Sequence, residues 1–80
     1  MSHTGEIRDL LRPLVGDDLD GVGDGDLIFA QGVIDSLHLV ELIDRVESRY
    51  GIKVAGDELA PENFESIAAI ARYVAKKTGG

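Results

Sequence analysis

The chain contains no cysteine, so it has no disulfide, no thiolate nucleophile and no cysteine ligand for zinc. No apolar run approaches the roughly 18 residues that a membrane span requires. The first residues, Met1 to Gly5, lack the basic and apolar regions of a signal peptide. We therefore expect a soluble, cytoplasmic protein. A chain of 80 residues buries only about 60% of its unfolded surface, so its stability has to come from well-packed amphipathic elements.

Basic residues are few: 8 stand against 15 acidic residues, which gives a formal net charge of −7. Such a chain is a poor partner for nucleic acid or for an anionic membrane, and its natural complement is a basic protein surface. The apolar fraction of 44% is ordinary for a folded domain, so the charge does not indicate disorder. We expect one domain over residues 1–80, present as a monomer.

Three segments carry the apolar spacing of amphipathic helices. In the first, Thr4 is a candidate N-cap, and the helix should kink or end near Pro13, which cannot donate a backbone hydrogen bond. The second runs over 37–50 and ends at Gly51, a candidate left-handed cap. The third is capped by Ser66. The apolar faces of the three helices are Ile7, Leu10, Leu11 and Leu14; Leu39, Leu42, Ile43, Val46 and Tyr50; and Ile67, Ile70, Ala71 and Val74.

The segments between these helices are rich in turn-forming residues. Residues 16–26 have almost no apolar content and predict turns, so we expect a long first loop that Leu27, Ile28 and Phe29 pin onto the core. Pro61 suits the first turn of a short helix. No alternation is long enough to build a sheet. The sequence therefore predicts an all-α fold, a small four-helix bundle of three main helices and one short helix with a long first loop.

Ser36 is the candidate functional residue, because it stands where the acidic loop gives way to the second helix. Asp35 suits the N-cap position, which makes Ser36 the first helical residue. The unpaired N–H groups and the partial positive charge at this point favour a phosphate group. Asp35 opposes such a group by charge unless a cation or a basic partner is recruited. On spacing alone, an ordinary Asp-Ser helix start is the favoured interpretation.

Leu37 and Val40 lie off the main apolar stripe of the second helix and can form a small apolar patch beside Ser36. An apolar centre with an acidic rim is suited to docking a basic partner. A broad stripe in which both residues belong to the core explains the pattern equally well, and the sequence leaves the two interpretations open. The rim residues are Glu41, Asp44 and Glu47.

The sequence indicates neither an active site nor a metal site. A serine nucleophile needs a base within hydrogen-bond reach, but His38 stands two residues after Ser36, and side chains at that spacing diverge on a helix. The loop aspartates do not fit the spacing of a calcium-binding loop in any register. His3 and His38 are too isolated to suggest zinc. We therefore expect no catalytic residue and no metal ligand.

The run Asp35-Ser36-Leu37 resembles the modification motif of acyl carrier proteins. Asp-Ser-Leu alone is a weak signal, but the flanking segments fit the same family and cover nearly the whole chain. Together with these flanking segments the motif is a strong signal. It favours Ser36 as a modification site over the ordinary helix start that spacing alone favours. The matching flanks are Gly32-Val33-Ile34, Val40-Glu41-Leu42, Tyr50-Gly51-Ile52-Lys53-Val54, residues 59–64 and residues 66–70.

The resemblance implies a carrier protein with the four-helix fold of that family, and not an enzyme. Ser36 would be converted by a phosphopantetheinyl transferase, with coenzyme A, to an ester of 4′-phosphopantetheine. The arm would supply the thiol that the chain lacks and would carry acyl or aminoacyl groups as thioesters. Asp35 would support the transfer by helping the transferase to hold magnesium. The second helix, with Leu37, Val40 and the acidic rim, would dock the transferase and client enzymes.

Departures from the family pattern bear on the pathway. The second helix carries His38, Arg45 and Arg49, and it has Asp44 where carriers of fatty acid synthesis often have an apolar residue. This pattern favours a specialised, natural-product type of pathway, in which a ligase or acyltransferase loads the cargo and synthase enzymes use it. The amino-acid sequence around Ser36 also resembles that of aminoacyl carriers of the D-alanine type. The alternatives are a peptidyl or aminoacyl carrier loaded by an adenylating enzyme, and an unmodified helical adaptor that binds partners through the second helix.

Overall fold

The computed structural model describes residues 3–79, and its elements are helices. The four α-helices are α1 (Thr4–Val15), α2 (Ser36–Tyr50), α3 (Pro61–Phe64) and α4 (Ile67–Thr78), and two 3-10 helices cover Gly16–Gly21 and Gly56–Glu58. The described residues include no strand. None of their helices has both the length and the apolar character needed to cross a membrane. The predicted all-α bundle of three main helices and one short helix is confirmed.

The helix ends follow from capping side chains and from one glycine. Asp35 caps α2 and Ser66 caps α4, each by accepting a hydrogen bond from the backbone N–H three residues further on. Gly51 ends α2 with a φ of 66°, a left-handed conformation that costs little without a Cβ. These three predicted caps are confirmed. Thr4 was predicted wrongly: it is the first helical residue of α1, and His3 takes the N-cap position.

One core joins the three long helices. The apolar faces predicted for α1, α2 and α4 all contribute to it. Phe64 of α3 adds an aromatic ring that packs at a tilt against the ring of Tyr73, with centroids 5.2 Å apart. The fully buried residues of the α-helices are Ile7, Leu11, Leu42, Val46, Ile67, Ile70 and Val74. Leu10, Leu14, Leu39, Ile43 and Tyr50 are partly buried and pack against them.

Two tyrosine hydroxyls reinforce the edges of this core. Tyr50, the last residue of α2, donates to the carboxylate of Glu6 in α1 at 2.6 Å. Tyr73 of α4 donates to Glu58 at 3.0 Å. Burial, followed by the neighbouring carboxylate, raises the pKa of each tyrosine to about 12. Both phenols therefore stay protonated as hydrogen-bond donors across the physiological pH range.

The first loop has more structure than its composition predicts. The 3-10 helix over Gly16–Gly21 begins it, and Leu19 and Val22 are buried members of the core. Ile28 is also fully buried, whereas the side chains on either side of it, Leu27 and Phe29, are 46% and 38% exposed. The anchor predicted from residues 27–29 is therefore Ile28 alone.

Arg8 of α1 holds this loop in place. Its guanidinium donates to Asp24 Oδ1 from Nε at 3.1 Å and from Nη2 at 2.8 Å. It also donates to the carbonyl of Val22 at 2.6 Å and to that of Leu19 at 3.4 Å. The Asp24 carbonyl accepts the N–H of Ala68 at 2.8 Å, so the same segment is tied to α4. Arg8 thus joins the loop to α1, and the backbone of Asp24 joins it to α4.

Replacing Arg8 by glutamine is expected to lower the free energy of unfolding by about 1–3 kcal/mol, because charge-assisted hydrogen bonds to the loop are lost. Arg12→Gln is the matched control. Arg12 pairs with Asp20 at 3.1 Å, but both side chains are half or more exposed, and such pairs contribute about 0–1 kcal/mol. Urea unfolding measures both variants. Equal losses would show that Arg8 has no special hold on the loop.

Candidate functional site

Ser36 is the first residue of α2 and is exposed to solvent. The residue before it, Asp35, is extended, and its carboxylate accepts the N–H of His38 at 2.9 Å. Asp35 therefore supplies the cap, and the serine side chain is not needed for it. Among residues 3–79 the Ser36 hydroxyl has no hydrogen-bond partner. It is left to solvent at the positive end of the helix dipole.

The chain that leads into α2 is fixed by backbone hydrogen bonds around Ile28. The N–H of Ile28 donates to the carbonyl of Glu65 at 2.9 Å. The carbonyl of Ile28 accepts the N–H groups of Val33 at 2.9 Å and of Ile34 at 3.2 Å. Ile34 is buried in the core two residues before Ser36. The serine is therefore held at a defined place on the surface, although it follows a long loop.

The Asp35 carboxylate beside Ser36 is charged and accessible. The hydrogen bond from the His38 N–H, more than any other effect, lowers the pKa of this carboxyl below its ordinary value. The imidazole adds a weaker attraction, because His38 Nδ1 lies 3.4 Å from Asp35 Oδ1, an ion-pair distance without hydrogen-bond geometry. The Asp35 side chain is still 71% exposed. A cation or a basic partner can therefore reach it.

Asp35→Asn is expected to change how stability depends on pH. Because the folded-state pKa of Asp35 is lowered, the ionised carboxylate stabilises the fold near neutral pH, and this contribution is lost as the pH falls through the folded-state pKa. Asparagine can still cap a helix but does not titrate. The advantage of the wild type over the variant in free energy of unfolding should therefore shrink from about pH 7 to about pH 2. Denaturant unfolding across that range measures it, and an advantage that grows in acid would contradict the prediction.

The outer face of α2 carries two exposed apolar residues beside the serine. Leu37 is 69% exposed and Val40 is 63% exposed. The interpretation that places them in the core is therefore wrong, and the one that places them on the surface agrees with the structure. Glu41 and Asp44, two of the three predicted rim residues, are exposed and have no ion pair within the described residues.

Glu47, the third predicted rim residue, has a different position. Its side chain is partly buried, and its Oε2 accepts the N–H of Val54 at 2.8 Å. Glu47 thus fastens the segment that follows α2 to the helix. It is less available to a partner than the other two acidic residues.

A groove of about 400 Å³ opens beside α2. Its walls are apolar apart from one charged residue, Glu65. Leu27 and Phe29, which do not anchor the core, belong to this groove, and sequence reasoning missed it. No local pattern could have indicated it, because its walls come from separate segments of the chain. The lining residues are Leu27, Phe29, Ala30, Leu39, Leu59, Ala60, Pro61, Phe64 and Glu65.

A model of the phosphopantetheine attachment site family matches residues 5–74. The match begins in α1, ends in α4 and includes the Asp-Ser-Leu start of α2. The chain therefore belongs to this family of carrier proteins, whose cofactor is 4′-phosphopantetheine. It is a carrier and not an enzyme. The resemblance seen in the sequence is confirmed.

The proteins that are similar to the chain include a biosynthesis protein and D-alanyl carrier proteins. The lincomycin biosynthesis protein LmbN of Streptomyces lincolnensis is 40% identical over 80 residues, which cover 98% of this chain but 28% of LmbN. The D-alanyl carrier protein of Streptococcus equi subsp. zooepidemicus (strain MGCS10565) is 39% identical over 66 residues, 82% of each chain. That of Streptococcus pyogenes serotype M1 is 35% identical over 74 residues, 92% of each. The chain thus spans little more than a quarter of LmbN but most of the D-alanyl carriers.

Proposed function

We propose that the chain carries acyl or aminoacyl groups as thioesters on a 4′-phosphopantetheine arm attached to Ser36, and that it serves a specialised biosynthetic pathway. The observation that carries this proposal is the state of Ser36, an exposed first residue of α2 whose hydroxyl has no partner within the described residues. The chain has no cysteine, so the arm would supply the thiol. The lincomycin biosynthesis protein LmbN, similar over nearly all of this chain, supports a biosynthetic role.

Attachment would join the Ser36 hydroxyl oxygen to the phosphorus that bears the pantetheine group of coenzyme A. The bond from that phosphorus to the leaving 3′,5′-ADP would break, and the serine proton would pass to a base of the transferase. The N–H groups of the first turn of α2 favour the phosphodiester that results. Asp35 would help to hold magnesium. Between residues 3 and 79 no group of three or more His, Asp or Glu residues could hold a metal ion, so the other ligands would come from the transferase and coenzyme A.

Partner enzymes would dock on the outer face of α2. Leu37 and Val40 offer an apolar contact, and the exposed carboxylates of Glu41 and Asp44 complement a basic surface. Glu47 would contribute less, because its carboxylate is engaged by the backbone. Carriers of this family are served by a phosphopantetheinyl transferase and by enzymes that load and use the cargo. In the loading role we propose a ligase or an acyltransferase.

A second candidate is an aminoacyl carrier that an adenylating enzyme loads. The similarity to D-alanyl carrier proteins, which extends over most of both chains, favours it. The apolar groove beside α2 favours an acyl cargo instead, because it offers almost no polar group to an amine. Chemical release of the cargo from the chain purified from its own cells, followed by mass spectrometry, distinguishes the two. An amine-bearing product supports the aminoacyl carrier, and a fatty or polyketide-like acid excludes it.

The attachment is tested on the unmodified chain, incubated with coenzyme A, magnesium and a promiscuous phosphopantetheinyl transferase. The expected result is a mass gain of one phosphopantetheine group, which fragmentation of the intact protein assigns to Ser36. No mass gain, or a gain assigned to another residue, would overturn the proposal. An unmodified adaptor would also gain no mass, but it would still bind its partner through α2.

A further inference from the structure

Arg45 is an unpaired cation on the outer face of α2. Within residues 3–79 it has no hydrogen bond and no ion pair, although Glu41 stands four residues before it, the order that best supports a helical ion pair. The other arginines of α1 and α2 each lie within 4.0 Å of a carboxylate. Those paired arginines are Arg8, Arg12 and Arg49. Arg45 is therefore the one arginine of these two helices whose charge the described fold does not use.

The exposed side chains near Arg45 are separated by chemical type around the surface of α2. A helix turns by about 100° per residue, so the side chains around the exposed face run from Val40 through Asp44 and Glu41 to Arg45. Around the helix, the surface therefore changes from apolar to acidic and then to basic. Glu41, Asp44 and Arg45, with Ser48, line a shallow open depression on this face of α2.

We propose that Arg45 determines which enzymes can dock on α2. A partner that covers this face removes Arg45 from water, and an unpaired buried cation is costly. The partner that fits therefore presents a carboxylate opposite Arg45, beside the cations that meet Glu41 and Asp44. An enzyme whose docking surface is wholly basic would bring like charge against Arg45 and would therefore bind less tightly than one with a matching carboxylate. Specificity thus comes from a repulsive contact as well as from attractive ones.

This inference rests on the proposed function, because it takes α2 as the docking face of a carrier, and it adds the chemistry of the partner. The partner is the enzyme that loads the cargo. The net charge of −7 favours any basic surface, so charge alone would admit many enzymes. A single cation at a fixed place in the acidic surface restricts that choice to surfaces with a matching carboxylate.

The test compares cargo loading of the wild type, Arg45→Glu, Arg45→Lys and Arg72→Glu. All four are first modified with coenzyme A and a promiscuous transferase, and mass spectrometry verifies the arm before loading is measured. The enzyme for this assay is identified by its ability to load the modified wild type. Enzymes encoded next to the gene of this chain are tried first. Arg72 of α4 is exposed and has no partner among the described residues, so Arg72→Glu is the control with the same change in net charge.

Arg45→Glu is expected to lower kcat/KM for loading at least about tenfold through KM, while Arg45→Lys keeps most of it and Arg72→Glu leaves it unchanged. Lysine in place of the contacting carboxylate of the loading enzyme should restore the rate for Arg45→Glu. An unchanged or faster rate for Arg45→Glu would overturn the inference, because it indicates a wholly basic partner surface. The proposed function fails at a different point: the wild type would then gain no mass in the first step.

Discussion

Ser36→Ala is expected to abolish phosphopantetheine attachment completely, with no mass gain after incubation with coenzyme A and a transferase. The hydroxyl oxygen is the atom that would form the new bond, so no neighbouring group can replace it. The fold should not change. Asp35, and not Ser36, caps α2, and the serine is exposed, so the free energy of unfolding should move by no more than about 0.5 kcal/mol.

Thr78→Val is the matched control for this variant. It removes one hydroxyl at the end of α4, where Thr78 Oγ1 donates to the carbonyl of Val74 at 2.9 Å, and it should be modified at the wild-type rate. Urea unfolding of both variants separates loss of the attachment point from loss of structure. A Ser36→Ala protein that is folded and still gains the full mass would show that the arm is attached elsewhere.

The helix ends could be predicted from the sequence because capping depends on neighbouring residues. Asp35, Ser66 and Gly51 each act within three or four residues along the chain, and all three caps are present in the structure. The first loop could not be predicted in this way. Leu19 and Val22 are isolated among aspartates and glycines, and their burial depends on α1, to which Arg8 ties their carbonyls across 11 and 14 residues.

The candidate site was also predictable only in part. The placement of Asp35 and Ser36 at the start of α2 follows from local rules, whereas the role of Ser36 came from the family resemblance and stays a prediction. Spacing left Leu37 and Val40 undecided, because a helical stripe has no sharp edge. The structure resolves the question through what packs against the helix, which is information that no single amphipathic segment contains.

Leu42→Ala and Leu37→Ala each replace a leucine of α2 by alanine, and we expect them to differ strongly in their effect on stability. Leu42 is fully buried, so its truncation to alanine should lower the free energy of unfolding by about 2–5 kcal/mol. That is a large part of the total of roughly 5–15 kcal/mol that is typical of native proteins. Leu37 is 69% exposed, and its removal should change the free energy of unfolding by no more than about 0.5 kcal/mol. Urea unfolding at one temperature measures both.

The same pair separates packing from docking. Leu37→Ala should raise the KM of the transferase severalfold, because the apolar centre of the proposed docking face is lost, while Leu42→Ala, assayed at a temperature where it remains folded, should keep the wild-type KM. If Leu37→Ala destabilised the protein as much as Leu42→Ala, both leucines would belong to the core. If it changed neither stability nor KM, the outer face of α2 would not be where the transferase docks, and the exposed leucine would need another partner to account for it.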